Sequence, residues 1–308
     1  MAAWKRPVHN YHYLNKDPKM DGWIILDKPS GMFSKTAAGQ VAKIFSTRKN
    51  GHIGTLDPMA SGGLPIALGN ATKMIPFIEE IADRTKEYLF SVQFGFETDT
   101  LDITGQKTKE TNVIPTTDLV RAALPKFIGE ISQIPPAYSA IHLNGERAYD
   151  LARTGRAVEI PPRRVTVYEL EFLGIHDKSW HFRMKCAPGT YVRSVARDIA
   201  YACATLGTVD MIRRTQTTGF TLKNAVTLDF LKNLVNNGSD VGQYLAPVDL
   251  GLGDIPVLNL DDKATKLYKN GGFVKTEGAD GYRRVYSGDI FVGIGMVSDG
   301  VLRPKRTI

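Results

Sequence analysis

The sequence predicts an α+β protein: a mixed sheet with flanking helices over residues 21–249, followed by a small β-rich unit over 250–308. Three observations support this. Glu87–Gly95 and Ser179–Cys186 alternate with strand periodicity, Tyr88, Phe90, Val92 and Phe94 sharing one face of the first and Trp180, Phe182, Met184 and Cys186 one face of the second. Helical spacing links Ala38, Val41, Ala42 and Phe45, and again Val192, Val195, Ile199, Cys203 and Leu206. From about residue 250 the texture changes: Val257–Leu260, an amphipathic stretch at 263–270 and a glycine-punctuated β pattern from Tyr286 to Val301. At 308 residues, one large and one small unit have ample core.

Residues 1–20 are polar and aromatic and read as a loose arm. Gly22–Leu26 reads as a buried strand entering the Lys28-Pro29-Ser30-Gly31 turn, and Ser34 reads as the N-cap of the following helix. Ile66–Ile78 reads as a strand-like start and a helix. The polar stretch 97–117 reads as a loop, with Asp99 and Asp102 as turn residues, because two carboxylates without a third oxygen-rich partner make a poor calcium site. Thr117 is expected to cap a helix that Gly129 ends. Pro188-Gly189 turns the chain into Thr190-Tyr191-Val192-Arg193 at the start of the next helix. There a cation opposes the macrodipole, so another group should hold Arg193, and a carboxylate such as Asp57 is a natural partner.

The net charge of +7 favours an anionic partner without specifying one. Two cysteines, Cys186 and Cys203, are too few and too isolated for a zinc site or a disulfide framework. No run approaches membrane-spanning length and the N-terminal stretch has no apolar core, so a cytoplasmic protein is expected.

Chemistry concentrates in Gly51-His52-Ile53-Gly54-Thr55-Leu56-Asp57-Pro58 and its continuation to Gly69. Five glycines and two prolines there imply special turns or close backbone approach. From Lys28 to Ile78, Asp57 is the lone acid against Lys28, Lys35, Lys43, Arg48, Lys49 and Lys73. The residues alone leave two readings: a turn carboxylate bonded to nearby N–H groups, or a catalytic carboxylate in a surface that attracts a polyanion. A second basic stretch, 131–164, interleaves Arg147, Arg153, Arg156, Arg163 and Arg164 with Tyr138, His142 and Tyr149. Guanidinium forks fit phosphates and aromatics stack on unpaired bases, although a plain solvated arginine face has the same composition.

Residues 51–69, GHIGTLDPMASGGLPIALG, resemble the catalytic motif of the TruB family of tRNA pseudouridine synthases. The resemblance extends from about residue 22 to 215. It includes Lys28-Pro29-Ser30-Gly31-Met32, Lys86-Glu87-Tyr88, Thr98–Asp102, Ile134–Ala140 and Gly189–Arg193. It implies a mainly antiparallel catalytic sheet and conversion of uridine 55 in the tRNA T loop to pseudouridine. Asp57 would be the nucleophile, paired with Arg193, and Tyr88 would stack on the flipped base and help with its C5 proton. His52 would enter near the displaced base, with Ile212, Tyr191 and Lys28 on the pocket wall. Segment 131–164 resembles the family's RNA-gripping thumb and 250–308, more loosely, a PUA RNA-binding module. The isomerisation needs no redox or metal chemistry, so no cofactor is expected, and a monomer is. Two other classes fit parts of the pattern: an RNA-folding protein that needs no chemistry, and a nucleoside hydrolase. The latter would need a second carboxylate to activate water, and none lies near Asp57 in sequence.

Overall fold

The computed structural model describes residues 20–81, 83–139 and 160–308, with the paired strands 142–143 and 146–147. Arg153 and Arg156 lie outside the described residues, and of Arg147 the backbone alone is described.

Strands β1 (Gly22–Lys28), β2 (Asn50–His52), β3 (Ser61–Leu68) and β4 (Lys86–Phe94) precede the hairpin β5 (Phe96–Thr98) and β6 (Lys107–Glu110). After β7 (Gly129–Gln133) come the short β8 (His142–Leu143) and β9 (Glu146–Arg147). Then follow the long β10 (Arg163–His176), β11 (Ser179–Cys186), β12 (Gly207–Thr217) and β13 (Phe220–Thr221). The main sheet has the order β1-β3-β12-β4-β11-β10-β7, with β2 on β3 and β13 on β12. Every pairing is antiparallel except β3 with β12. That single parallel contact brings the Ser61-Gly62 end of the glycine-rich motif beside Arg213 and Arg214.

The alternating faces of β4 and β11 carry the largest core. Phe90 stacks on Phe182 at 5.2 Å between ring centroids, and Phe172 and Trp180 extend the cluster. Helix α1 (Ser34–Ile44) and the short α2 (Ile75–Ile81) follow the first and third strands, and α3 (Thr117–Ala123) precedes β7. Helix α4 (Val192–Ala202) covers the core with Val192, Val195, Ala196 and Ile199, while α1 packs on α5 (Leu228–Asn236) in a separate cluster. The second unit is a five-stranded sheet of β14 (Val257–Asn259), β16 (Gly281–Ser287), β17 (Ile290–Ser298), β18 (Val301–Thr307) and β15 (Val274–Lys275). Helix α6 (Asp262–Lys269) flanks it. Ile294 and Phe291 of β17 join the cluster around Trp23, Ala67 and Phe220, so the two sheets share apolar contacts.

Four local expectations are corrected. Phe33, not Ser34, is the N-cap of α1, because the Ser34 hydroxyl is committed to the backbone of Leu56. Thr116 caps α3 by accepting from Leu119 N–H. Gly129 opens β7 rather than ending the helix. The polar stretch 97–117 contains the β5–β6 hairpin, with the exposed, charged Lys107–Glu110 as its outer strand.

Gly62 is where fold and motif meet. Its φ is +102°, and a Cβ there would stand 2.2 Å from the Arg214 carbonyl oxygen. Gly62→Ala therefore combines backbone strain with a clash against backbone, and should lower stability by about 3 kcal/mol in urea denaturation.

Candidate active site

Asp57 sits in the turn between β2 and β3, and its side chain is 44% exposed. The connection from β1 to α1 and the first residue of α1 clamp this turn by hydrogen bonds to its backbone. Gly31 N–H donates to the Pro58 carbonyl at 2.7 Å, Ser30 Oγ to Met59 O at 2.7 Å, and Ser34 Oγ both donates to Leu56 O and accepts from Leu56 N–H at 2.9 Å. The Lys28 ammonium, fully buried, donates to the carbonyls of Pro29, Met32 and Pro58. Lys28 therefore lies beneath the turn rather than on a pocket wall. Burial lowers its pKa to about 8, with Asp57 opposing and Arg214 adding to that effect.

Arg193, at the start of α4, is 5% exposed and makes four hydrogen bonds. Nη2 donates to Asp57 Oδ2 at 2.7 Å and to the Tyr138 carbonyl at 2.9 Å; Nη1 donates to Thr100 O at 2.9 Å and Asp102 Oδ2 at 3.1 Å. Asp102 is as buried as Arg193, and its other oxygen accepts from Thr100 Oγ1 and from Thr104 N–H and Oγ1. Leu101, at φ +61°, turns the backbone so that Thr100 O and the Asp102 carboxylate converge on one guanidinium, and bridging of Leu101–Ile103 to Val209 pins this turn to β12. Asp102 is thus more than a turn residue. Its partner lies 91 positions away, beyond any local sequence signal. Asp99 keeps a turn role, accepting from Gln106 N–H and the Tyr138 hydroxyl.

Tyr88 begins the buried face of β4, 7% exposed, and burial pushes its pKa up to about 12. Its cross-strand partner is Arg214, wholly buried, which donates from Nε to Gly63 O and from Nη2 to Gly54 O at 2.9 and 2.7 Å. Arg214 thereby ties both halves of the glycine-rich motif to β12. His52 is half-buried, its Nε2 3.2 Å from Thr55 Oγ1, and burial together with the Arg214 charge lowers its pKa. Ile212, 4% exposed, belongs to the core cluster that also holds Leu56, Met59 and Tyr88. Tyr191 caps α4, its backbone exchanging two hydrogen bonds with the Gln133 amide; burial raises its pKa and the Ser139 hydroxyl counteracts.

Arg163 and Arg164 open β10, both exposed, and Arg164 pairs with Glu130 at 2.6 Å. Among the described residues no cluster of His, Cys, Asp and Glu could hold a metal ion, and no helix is long and apolar enough to cross a membrane.

Residues 42–192 match the model of the TruB family pseudouridylate synthase N-terminal domain, and 256–308 that of the pseudouridine synthase II TruB C-terminal domain. The tRNA pseudouridine synthase B of Caulobacter vibrioides is 42% identical over 304 residues, covering 94% of this chain and 97% of the relative. That of Ehrlichia chaffeensis is 40% identical over 296 residues, covering 93% and 99%. The chain belongs to the TruB family of pseudouridylate synthases. It shares its fold with a solved H/ACA RNP bound to a substrate RNA containing 2′-deoxyuridine, at TM-score 0.68 and 21% identity over 94% of this chain and 85% of the other. A Cbf5-Nop10-Gar1 complex is similar to it at TM-score 0.67 and 23% identity, over 94% and 85%. In this TruB-family chain the central sheet is mixed and mainly antiparallel, and the Asp57 turn lies at its β2–β3 end.

The two carboxylates on Arg193 should behave differently in thermal denaturation. Asp102→Ala leaves a buried guanidinium without its buried partner and should cost about 3–5 kcal/mol. Asp57→Ala, at a half-exposed position, should cost less than about 1 kcal/mol. Equal losses would contradict this division of roles.

Proposed function

We propose that this chain is a tRNA pseudouridine synthase that isomerises uridine 55 in the T loop, with Asp57 as its nucleophile. The observation that carries the reading is the Arg193–Asp57 ion pair, 2.7 Å long, in which the guanidinium is buried and the carboxylate is open on one side. A carboxylate held this way is fixed in direction yet accessible to a sugar or base atom, as glycosyl-type transfer requires. The names of the relatives support tRNA as substrate.

Isomerisation breaks the bond from C1′ to N1 and rejoins the base through C5. The target base leaves its stack at a cost of roughly a few kcal/mol. Tyr88 takes it on its aromatic face, with Ile212 packed behind, and His52 and Tyr191 flank the site. Arg193, with four hydrogen bonds in place before substrate arrives, holds Asp57 without reorganisation during reaction. Residues 21–249 carry catalysis, the 131–164 segment grips the T arm through Arg147, Arg153, Arg156, Arg163 and Arg164, and 250–308 forms a second RNA-binding module. The protein acts in the cytoplasm as a monomer and needs no cofactor.

Tritium release from unmodified tRNA labelled at uridine C5 tests this, with carbodiimide mapping of the product. The native protein should release tritium and give a single stop at position 55, and Asp57→Asn should release none. Arg193→Lys loses the fork geometry, so its rate should fall about a hundredfold while tRNA affinity holds. Release by Asp57→Asn at the native rate would return Asp57 to the status of a turn residue. Tight tRNA binding without release by either protein would favour an RNA-folding role.

A further inference from the structure

We propose that Arg214 is a positioning residue for proton transfer at C5: its buried guanidinium holds the Tyr88 hydroxyl and stabilises that oxygen as the proton acceptor. This rests on the functional reading above, and extends it to a residue beyond the flipped base.

Arg214 is among the largest fully buried side chains in the protein. Among the described residues it has no carboxylate partner, unlike Arg193, Arg213 and Arg284, which pair with Asp57 and Asp102, Asp27 and Asp249. A buried cation without a counter-ion is costly and calls for a compensating group. Two carbonyls, Gly54 O and Gly63 O, satisfy Nε and Nη2. Among the described residues Nη1 has no hydrogen-bond acceptor, and the residue directly across the β4–β12 ladder from Arg214 is the buried Tyr88. The fold makes room for this arrangement. A Cβ at Gly54 would stand 2.9 Å from Nη1, and one at Gly62 would strike the Arg214 backbone. The groups acting on the Tyr88 hydroxyl are Arg214 from β12, Cys186 from β11 and Asp57 from the motif turn. Arg214 is the one that favours the phenolate; burial, Cys186 and Asp57 oppose it.

The chemistry balances simply. Once the base is joined to C1′ through C5, that carbon still carries its hydrogen. The Tyr88 phenolate oxygen takes the proton and becomes the phenol, the C–H electron pair restores the C5–C6 double bond, and N1 gains a proton from water. Tyr88 then returns its proton to water. A neighbouring guanidinium lowers the cost of the phenolate that accepts the proton, whereas a neutral neighbour does not.

The test compares Arg214→Gln, Arg214→Lys, Tyr88→Phe and the combined Arg214→Gln/Tyr88→Phe variant on tRNA carrying hydrogen, deuterium or tritium at uridine C5. Arg214→Gln should lose about a hundredfold in kcat with KM nearly unchanged, the scale of a lost acid–base contribution. Its C5-deuterium isotope effect should exceed that of the native protein, and the rising limb of its pH–rate profile should move to higher pH. Arg214→Lys, which keeps the charge, should hold the limb near its native position. The combined variant should be no slower than Tyr88→Phe alone. Additive losses, or an unchanged isotope effect with an unmoved limb, would overturn the assignment. Should Arg214→Gln fail to fold, fluorotyrosine at position 88 of the otherwise native chain gives the answer: a more acidic phenol should move the limb to lower pH, and an unmoved limb would overturn the proposal. Tritium release by the native protein is the control, since its absence would sink the functional reading itself.

Discussion

A buried guanidinium shared by two carboxylates sets the geometry on which the site depends. Arg193 reaches Asp102 on its inner side and Asp57 on its outer side, with two backbone carbonyls taking the other N–H of each terminal nitrogen. The inner pair is dry and tied to β12 through the Leu101–Ile103 turn. The outer carboxylate is half in solvent, open on the side away from Arg193. The inner carboxylate compensates the buried charge, so the outer one is aimed by the same cation without being enclosed by it. A cation at a helix start gains nothing from the macrodipole, and here its placement follows from what it holds.

Three buried cations surround one glycine-rich turn, two holding its backbone and one its acidic side chain. Lys28 takes the Pro58 carbonyl, Arg214 takes Gly54 and Gly63, and Arg193 takes the Asp57 side chain. Each arrives from a different element: β1, β12 and α4. The turn is therefore a junction of the fold, and Gly62, at φ +102° against the Arg214 backbone, has little room for any other residue. Of the basic residues around Asp57 that read in the sequence as attraction for a polyanion, Lys28 is committed instead to shaping the turn.

Much of this was legible in the sequence, and the omissions have physical causes. β4 and β11 announced themselves because one face of each is buried and period-two alternation survives intact. β10 and β12 did not: register shifts at Val167/Glu169, Phe172/Gly174, Val209/Met211 and Arg214/Gln216 break the alternation, and β12 buries an arginine where the pattern leads one to expect an apolar residue. Asp57 and Arg193 were found through their motifs, and the missing local partner of Arg193 pointed to a carboxylate. Asp102 read as a turn residue because its partner is remote in the chain. Lys28 and Arg214 look like ordinary surface cations in composition, and only the packing reveals them as fully buried. Ser34 looked like a helix cap because its hydroxyl chemistry suits one, but the Asp57 turn claims that hydroxyl.

The most direct test of the central claim is a crystal structure of this chain with a T-arm RNA whose target uridine carries fluorine at C5, which blocks the final deprotonation. The base should lie out of its stack on Tyr88, with Asp57 bonded to the substrate or in contact with it, and Arg193 still bridging Asp57 and Asp102. A base bound away from Asp57, or an Arg193 turned from both carboxylates toward RNA phosphate, would contradict the claim.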